Sequence, residues 1–333
     1  MNNNYIPPFE ITPSLLDLVS QVSEAVGRYI VLSENRLTPH LRRNNRIRTI
    51  QASLAIENNS LTVEEVTAVL DGKRVAGSKQ EILEVKNAFA AYEAMNAWTP
   101  TSTDDLLKAH RIMMDGLDGN AGAFRHGGVG VFKGSELIHM APPAKRVPKL
   151  ISDLMNWLKT TNINPLITSS VFHYKFEFIH PFSDGNGRMG RLWQTLIFSK
   201  WKPELAYLPV ETVVKENQQT YYNVLREADK LGKSTPFIEF MLKSLLESLN
   251  TDQVNDHVTD QVKKVVKILV KGDLTALELM QKLKLAHRPA FRQSYLNPAI
   301  SGGFVELTQP NSPKSPTQRY RLTAKGGLYA ANL

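Results

Sequence analysis

Residues 180–191, with the sequence HPFSDGNGRMGR, place several chemically useful side chains close together. His180 is a candidate general base near neutral pH, and Asp184 is a hard oxygen ligand that suits Mg²⁺. Arg188 and Arg191 are three positions apart, so a helix would carry both guanidinium groups on one face, where they suit phosphate oxygens. A base, a metal ligand and two arginines are what a protein needs to hold a polyphosphate against a nucleophile.

Two predicted helices position this segment. Residues 166–179 are rich in apolar side chains and lack Gly and Pro, which favours a buried helix, and Pro181 disfavours helical geometry at the residue before it. Gly185 and Gly187 permit a tight turn before a second helix, which continues to about residue 201. A glycine loop that leads into a helix N-terminus presents backbone N–H groups and a favourable dipole to an anion.

The segment is similar to the signature of the Fic (filamentation induced by cAMP) family, His-Pro-Phe-x-(Asp/Glu)-Gly-Asn-Gly-Arg-x-x-Arg, with every fixed position filled. Each part alone would more often be a turn or a packed histidine, but the complete ordered set is specific. The resemblance implies a protein adenylyltransferase, which transfers AMP from ATP to a Ser, Thr or Tyr hydroxyl of a target protein and releases pyrophosphate. It also implies ATP as substrate and Mg²⁺ as cofactor.

The same resemblance implies roles for individual residues. His180 would be the general base on the target hydroxyl, and Asp184 would hold Mg²⁺. Tyr221 and Tyr222 would border the adenine, although adjacent helical tyrosines more often serve packing. The residues implied to bind the nucleotide are Glu57, Val131, Gly185, Asn186, Gly187, Arg188, Met189, Gly190, Arg191, Tyr221 and Tyr222.

A second motif lies at residues 53–58, Ser-Leu-Ala-Ile-Glu-Asn. By itself it indicates a helix C-terminus capped by Asn58. Beside the Fic signature it resembles the inhibitory motif of that family, (Ser/Thr)-x-x-x-Glu-(Gly/Asn), with Ser53 and Glu57 at its other fixed positions. The resemblance implies that Glu57 pairs with Arg191 and occupies the space of the γ-phosphate, so that ATP binds unproductively.

Residues 129–140, VGVFKGSELIHM, alternate loosely around Lys-Gly-Ser and predict a β-hairpin. The position resembles the Fic flap, whose edge pairs with an extended segment of the target protein by strand addition. An ordinary surface hairpin is the alternative.

The fold class is predicted to be mainly α, with a Fic helical core, the hairpin flap and a small C-terminal winged helix-turn-helix domain. Capping-box patterns at Thr62–Glu65 and Ser78–Glu81 predict two helix starts, and residues 211–229 predict one continuous helix.

The 333 residues are expected to form four regions. Residues 1–100 would be a helical region with the inhibitory helix, 101–250 the Fic catalytic core, 251–260 a polar linker and 261–333 the winged-helix-like domain. The last region carries 12 Lys and Arg against 3 Asp and Glu, whereas the preceding residues carry 28 against 29. The net charge of +8 is therefore a property of the C-terminal region.

The C-terminal region predicts three helices followed by two strands, an order that resembles a winged helix-turn-helix. Arg288 and Arg292 at the start of the third helix would suit DNA, which makes DNA a candidate partner through residues 261–333. A module for dimerisation or target docking is the alternative, and a homodimer stays open.

Composition excludes some classes of protein. The chain has no cysteine, which excludes disulfides and cysteine-based zinc sites. It has no long uncharged apolar run, and its first residues lack a basic segment followed by an apolar one, so neither a membrane span nor a secretory signal is expected. A cytoplasmic protein is the expectation.

Two other functions stay open. Some relatives remove AMP, and the inhibitory glutamate would suit that role by orienting a water molecule. The chain would alternatively be a DNA-binding regulator whose Fic core acts as a sensor.

Overall fold

The structure is a computed structural model that describes residues 5–33, 39–133, 136–254, 260–310, 312–313 and 315–331. The chain divides into two compact units, Met1–Asn250 and Thr251–Leu333, and each is described by itself.

The first unit is helical apart from one hairpin within its described residues. The hairpin pairs β1 (Gly130–Lys133) with β2 (Glu136–Met140) in antiparallel register. Short 3₁₀ turns lie at Met95–Ala97, Ala144–Arg146 and Pro203–Tyr207. The helices are α1 (Pro13–Ser33), α2 (Pro39–Ile56), α3 (Val63–Leu70), α4 (Lys79–Ala94), α5 (Thr103–Met113), α6 (Val147–Thr160), α7 (Pro165–Ile179), α8 (Asn186–Trp201), α9 (Val210–Glu216), α10 (Gln218–Leu231) and α11 (Thr235–Val254), which extends into the second unit.

Helices α7 and α8 form the centre of this unit and pack against each other. Both are buried almost all round, and Phe172, Phe176 and Trp193 are fully buried among them. Both helices also bury polar side chains, including His173 and Arg191, so they lie inside the core although they are not apolar on every side. The predicted signature loop therefore connects two helices that the core holds firmly.

The second motif, residues 53–58, lies at the end of α2, which packs against α3, α4 and α9. The two predicted capping boxes are confirmed at the starts of α3 and α4, with the side-chain bonds of Thr62–Glu65 and Ser78–Glu81 present in both directions. They fix where the neighbours of α2 begin.

Two predicted boundaries are wrong. The helix expected over residues 211–229 is interrupted at Asn217, whose φ of −104° and ψ of 27° leave the helical range. Its amide Nδ2 donates to the Val213 carbonyl at 3.0 Å, so a local side-chain bond competes with helix propagation. The expected linker at 251–260 begins as helix, because α11 continues to Val254, and residues 255–259 lie outside the described residues.

The second unit has its own hydrophobic core, which includes Val265, Phe291 and Phe304. The strands β3 (Val305–Leu307) and β4 (Tyr320–Leu322) pair antiparallel. Its helices are α12 (Asp260–Leu269), α13 (Ala276–Lys282), α14 (Arg288–Phe291), α15 (Asn297–Ser301) and α16 (Ala324–Ala331), with a π-helical turn at Arg292–Leu296 between α14 and α15.

The sequence did not predict α16, which contains two consecutive glycines. Packing explains one of them, because a Cβ on Gly326 would collide with the Phe304 backbone. The glycine lets the helix approach the start of β3, at a cost in helix propensity of about 1 kcal/mol.

Candidate active site

His180 ends α7 in the left-handed conformation, with φ 49° and ψ 62°. Its backbone N–H still donates to the Phe176 carbonyl at 2.9 Å, so the chain leaves the helix within one residue. Few non-glycine residues adopt this conformation, and Pro181 follows at once. The half-buried imidazole is thereby placed at the first position of the signature loop.

The loop is closed by the side chain of Asn186, which is buried. Its Oδ1 accepts from the Phe182 backbone N–H and its Nδ2 donates to the Phe182 carbonyl, both at 2.9 Å. Gly185 has φ 78°, and a Cβ there would lie 2.7 Å from Met114 Sδ. The sequence predicts that Asn186 binds the nucleotide, but both of these side-chain hydrogen bonds stabilise the loop itself.

Sequence reasoning missed His110, which supports the same loop from α5. The imidazole is fully buried and stacks on Phe182 with ring centroids 3.6 Å apart. Its Nδ1 accepts from the Gly122 N–H at 2.9 Å, so Nε2 carries the proton and donates to the Asp184 carbonyl at 3.0 Å. Burial lowers the pKa of His110, which keeps it neutral. In the sequence of an amphipathic helix, a histidine that supports a functional loop cannot be distinguished from one that only packs in the core.

Asp184 and Arg188 lie side by side at the start of α8. The Asp184 side chain is 67% exposed, and its two oxygens accept from the Gly185 N–H at 2.6 Å and from Arg188 Nη2 at 3.3 Å. Arg188 is buried, and its Nε and Nη1 have no hydrogen-bond partner among the described residues. Glu84 Oε1 is 3.8 Å from Nη1, beyond hydrogen-bond reach.

Arg191 is held by the end of α2. Its Nη2 donates to Glu57 Oε1 at 2.7 Å and to the Ser53 carbonyl at 3.0 Å, and its Nε donates to Ser53 Oγ at 2.9 Å. Burial opposes the charge of Arg191, but the Glu57 carboxylate overcomes it and raises the pKa of the guanidinium. A Cβ on Gly187 would collide with the same carboxylate, so the glycine makes this approach sterically allowed.

The end of α2 places Glu57 beside α8. The helix ends at Ile56, and Asn58 takes the left-handed conformation with φ 70°, which asparagine tolerates better than most residues. Gln218 Nε2 donates to the free Ile56 carbonyl at 2.9 Å. The first motif and the signature, 134 positions apart between Glu57 and Arg191, therefore meet in one cluster.

The other residues that the sequence predicts to bind the nucleotide differ in how far they are exposed to solvent. Tyr221 is 2% exposed and its hydroxyl is 3.2 Å from His173 Nε2, whereas Tyr222 is partly exposed. The Met189 side chain is fully buried in the core. A Cβ on Gly190 would lie 2.8 Å from His173, so this position serves the packing of α7 on α8.

A buried carboxylate, Glu211 on α9, lies beside α8 at Thr195, one helical turn after Arg191. Its Oε1 accepts from the Tyr92 hydroxyl and from Thr195 Oγ1, both at 3.2 Å. Burial raises the pKa of Glu211. The group joins α4, α8 and α9 by hydrogen bonds.

Comparison with known proteins places these features in a family. The sequence model of the Fic/DOC family matches residues 100–198, and that of the Fic-like C-terminal domain matches residues 260–323. A solved structure of a Fic family protein from Desulfovibrio desulfuricans G20 is 59% identical, covers 96% of this chain and 99% of its own, and has a TM-score of 0.74. The chain belongs to the Fic family. The predicted fold class, mainly α with a Fic helical core, is confirmed, and the smaller C-terminal domain matches the Fic-like C-terminal model.

Curated relatives of this Fic protein are named as adenylyltransferases. Protein adenylyltransferase fic-1 of Caenorhabditis elegans is 32% identical over 203 residues, which are 57% of this chain and 38% of the relative. Protein adenylyltransferase Fic of Culex quinquefasciatus is 30% identical over 206 residues, 59% and 39% of the two chains. The chain thus spans less than half the length of these relatives.

A solved structure of Fic-1 from C. elegans is 24% identical with a TM-score of 0.55, and the alignment covers 71% of this chain and 70% of that one. This likeness shows a shared Fic fold. Within the described residues of this Fic protein, every helix is too short or too polar to cross a membrane.

Proposed function

We propose that this Fic protein transfers AMP from ATP to a Ser, Thr or Tyr hydroxyl of a target protein. The observation that carries the proposal is Arg188, which is buried and whose Nε and Nη1 lack hydrogen-bond partners among the described residues. Buried donors without partners are costly, and phosphate oxygens would satisfy a guanidinium in a bidentate arrangement. The exposed carboxylate of Asp184 and the imidazole of His180 precede this position along the loop, four and eight residues earlier.

The chain's own groups suit each part of such a reaction. The His180 imidazole would take the proton of the target hydroxyl while the hydroxyl oxygen forms a bond to the α-phosphorus of ATP. The bond from that phosphorus to the bridging oxygen would break, and pyrophosphate would leave with its charge balanced by Arg188 and the N-terminus of α8. Catalysis would depend on position and charge, as in other phosphoryl transfers.

Asp184 fits a role as the protein ligand of Mg²⁺. Mg²⁺ is usually held by one or two carboxylates together with substrate phosphates, and Asp184 is exposed beside the buried guanidinium. No cluster of three or more acidic or histidine side chains in the described part of the chain would hold a metal alone, so phosphates would complete the set. The ion would neutralise and orient the phosphates when bound.

The pair of Glu57 and Arg191 supports a brake on this activity. A γ-phosphate would need the same Arg191 donors that the Glu57 carboxylate and Ser53 now occupy. Removing one partner of a buried ion pair usually costs about 3–5 kcal/mol, because the other charge is stranded. Here the γ-phosphate would replace the lost carboxylate, so removal of Glu57 should release Arg191 for ATP.

Mass spectrometry of the purified chain after incubation with ATP and Mg²⁺ tests the proposal. We expect Glu57→Gly to carry AMP on Tyr, Ser or Thr residues well above the wild-type level, and His180→Ala in the same background to carry none. Glu64→Gly, at an exposed position of α3, is the matched control and should resemble wild type. Equal incorporation by wild type and Glu57→Gly would reject the brake, and no incorporation by either would reject the transfer.

Removal of AMP is tested with the same proteins. Wild-type chain is added to AMP-modified Glu57→Gly protein in the absence of ATP, with His180→Ala as control. Loss of the label with wild type alone would favour the AMP-removing reaction. A stable label would leave transfer as the function.

The hairpin supports target binding by strand addition. Strand β1 pairs with β2 from Gly130↔Met140 to Lys133↔Glu136, and neither strand pairs with another strand in the described residues. An open edge of this kind can take an extended peptide in register. Val131, an expected nucleotide contact, lies in β1, and its side chain is outside the described part.

DNA binding by the second unit is a second candidate function, favoured by one helical surface. Arg288, Gln293 and Arg292 are exposed along the segment that begins with α14, which follows α13 in the order typical of a helix-turn-helix. Arginine and glutamine are side chains that read base edges and contact phosphates.

A further inference from the structure

Arg125 is a buried arginine that neither motif contains. Its guanidinium donates from Nε to the His180 carbonyl at 2.7 Å and from Nη2 to the Ile179 carbonyl at 3.3 Å. It also donates from Nη1 to the Gly127 carbonyl at 2.7 Å and from Nη2 to the Pro142 carbonyl at 2.6 Å. All four of these acceptors are backbone carbonyls.

These carbonyls belong to three parts of the chain, namely the segments before and after the hairpin and the end of α7 with His180. Gly127 precedes β1 by three residues, and Pro142 follows β2 by two residues, so the guanidinium joins both ends of the hairpin. The other two carbonyls are the last residue of α7 and His180. A single planar side chain therefore connects the base of the hairpin to the residue that carries the imidazole.

Backbone bonds around Arg125 strengthen this connection. The Arg125 N–H donates to the Pro181 carbonyl at 3.0 Å, on the other side of His180. The Ala141 N–H donates to the Val129 carbonyl at 3.2 Å, which closes the base of the hairpin beyond its last strand pair. The hairpin is thus closed at its base and attached there to the turn at His180.

The choice of arginine has a physical reason. Arg125 is buried, so its charge is desolvated at some cost, and this burial lowers the pKa of the guanidinium. A guanidinium offers five N–H donors in a rigid plane, whereas a lysine ammonium offers three on a flexible chain. An arginine in this position fixes directions as well as distances among four carbonyls.

We propose that Arg125 is a positioning residue that sets the distance and register between the hairpin and the His180 imidazole. The inference rests on the proposed AMP transfer to a peptide aligned on the hairpin. A hydroxyl on such a peptide meets the imidazole only if the hairpin is held in place. A displacement of 1 Å at a reacting centre costs about 100-fold in rate, so this side chain acts on transfer without touching ATP.

A distance measurement tests the connection without reference to activity. The chain has no cysteine, so Met140→Cys at the end of β2 and Lys159→Cys on α6 give a clean spin-labelled pair, both at exposed positions. We expect double electron–electron resonance spectroscopy to give a narrow distribution of distances between the two spin labels in the chain with Arg125. After Arg125→Met the distribution should be broad or shifted. Arg74→Met, at an exposed arginine, is the matched control and should leave the distribution unchanged.

An activity ratio tests the consequence in the Glu57→Gly background. Two products are measured together, AMP attached to protein and AMP released to water. We expect Arg125→Met to lower attachment about 100-fold, with the KM for ATP and the release to water close to the parent values. Arg125→Lys should lie between, because it restores some of the donors. A structural defect of the nucleotide site would instead lower both products.

The outcomes separate this inference from the proposed function. If the parent attaches no AMP, the transfer proposal fails and the spin-label distances alone decide the role of Arg125. If Arg125→Met does not fold by circular dichroism, Arg125→Lys decides both measurements. Unchanged distances, or attachment and release that fall in parallel, would overturn the inference.

Discussion

At the residue scale, the two arginines of the signature differ in their hydrogen-bond partners. Nε and Nη2 of Arg191 are bonded to Glu57 and Ser53, whereas Nε and Nη1 of Arg188 are buried without hydrogen-bond partners in the described residues. The two arginines are three positions apart on α8, yet their surroundings differ because α2 reaches only one of them. The proposed brake therefore acts at Arg191 and leaves Arg188 available to a nucleotide.

Ser53→Ala should release part of this brake. The substitution removes the acceptor of Arg191 Nε and leaves a buried donor unpaired, which weakens the closed arrangement by about 1–3 kcal/mol. The Glu57 pair and the Ser53 carbonyl bond stay, so we expect AMP attachment above wild type and below Glu57→Gly in the same mass-spectrometric assay. Ser152→Ala, at an exposed position of α6, serves as control. Attachment equal to wild type would contradict a role for the Ser53 hydroxyl.

At the element scale, the helix–loop–helix of α7 and α8 depends on local conformations that only certain residues tolerate. His180 leaves α7 with a positive φ, Gly185 follows with another, and Asn186 closes the loop by two bonds to Phe182. His110 then supports the loop from α5 through its bond to the Asp184 carbonyl. The loop is therefore held to the core by side-chain hydrogen bonds on both of its sides.

Gly185→Ala should destabilise this loop. The alanine would keep a φ of 78° and place its Cβ 2.7 Å from Met114 Sδ, so strain and contact act together. We expect a loss of about 1–3 kcal/mol in the free energy of unfolding, measured by urea denaturation, and weaker ATP binding. Gly119→Ala is the matched control, because its Cβ meets no atom within 4 Å. Equal stability of both variants would show that the positive φ is not required.

At the scale of the whole molecule, the two units carry different charge and different cores. The basic residues are concentrated in 261–333, while the preceding residues are close to neutral. The first unit buries several ionisable groups in its core, including Glu211 at 4% exposure and Arg191 at 3%. Stability with pH is thus expected to follow the first unit, and association with polyanions the second.

Glu211 gives a pH dependence with a definite sign. Its pKa is raised by burial, so the folded chain keeps this proton at pH values where the unfolded chain has lost it. Stability from this group is present at low pH and declines as pH rises from about 4.5, the ordinary value, through the folded pKa. Glu211→Gln should remove this decline in urea denaturation from pH 4 to 8, whereas Glu216→Gln, exposed on the same helix, should not. A parallel decline in both variants would assign it to other groups.

DNA binding would be visible as a steep dependence on salt. We expect a fluorescent DNA duplex of mixed sequence to bind the full chain, with affinity falling linearly in a logarithmic plot against salt. Arg288→Gln and Arg292→Gln should each weaken binding and lower the slope by about one. Arg74→Gln, in the first unit, should change neither. If the affinity does not change with salt, DNA binding is rejected, and the second unit is better explained as a module that docks a protein.

Local patterns in the sequence were sufficient for much of this description. The signature at 180–191 predicted a helix, a glycine loop and a second helix, because proline and glycine act on the backbone where they stand. The capping boxes and the hairpin were also predicted from local patterns. A capping box depends on two side chains three residues apart, and the hairpin on alternation around Lys-Gly-Ser. The break at Asn217 was missed because a side-chain hydrogen bond competes with the helical pattern there. Helix α16 was missed because two consecutive glycines disfavour a helix, although close packing against Phe304 requires glycine at position 326.

The sequence by itself determined which reactive side chains are present and the turn on which they lie, because these depend on neighbouring residues. Only the tertiary structure decided that His110 supports the loop, that Ser53 holds Arg191 and that Arg125 joins the hairpin to His180. These contacts link residues that are 55 positions apart for Arg125 and His180, 74 for His110 and Asp184, and 138 for Ser53 and Arg191. No local pattern encodes such a distance, since it results from the packing of α2, α5 and the hairpin around the central pair of helices.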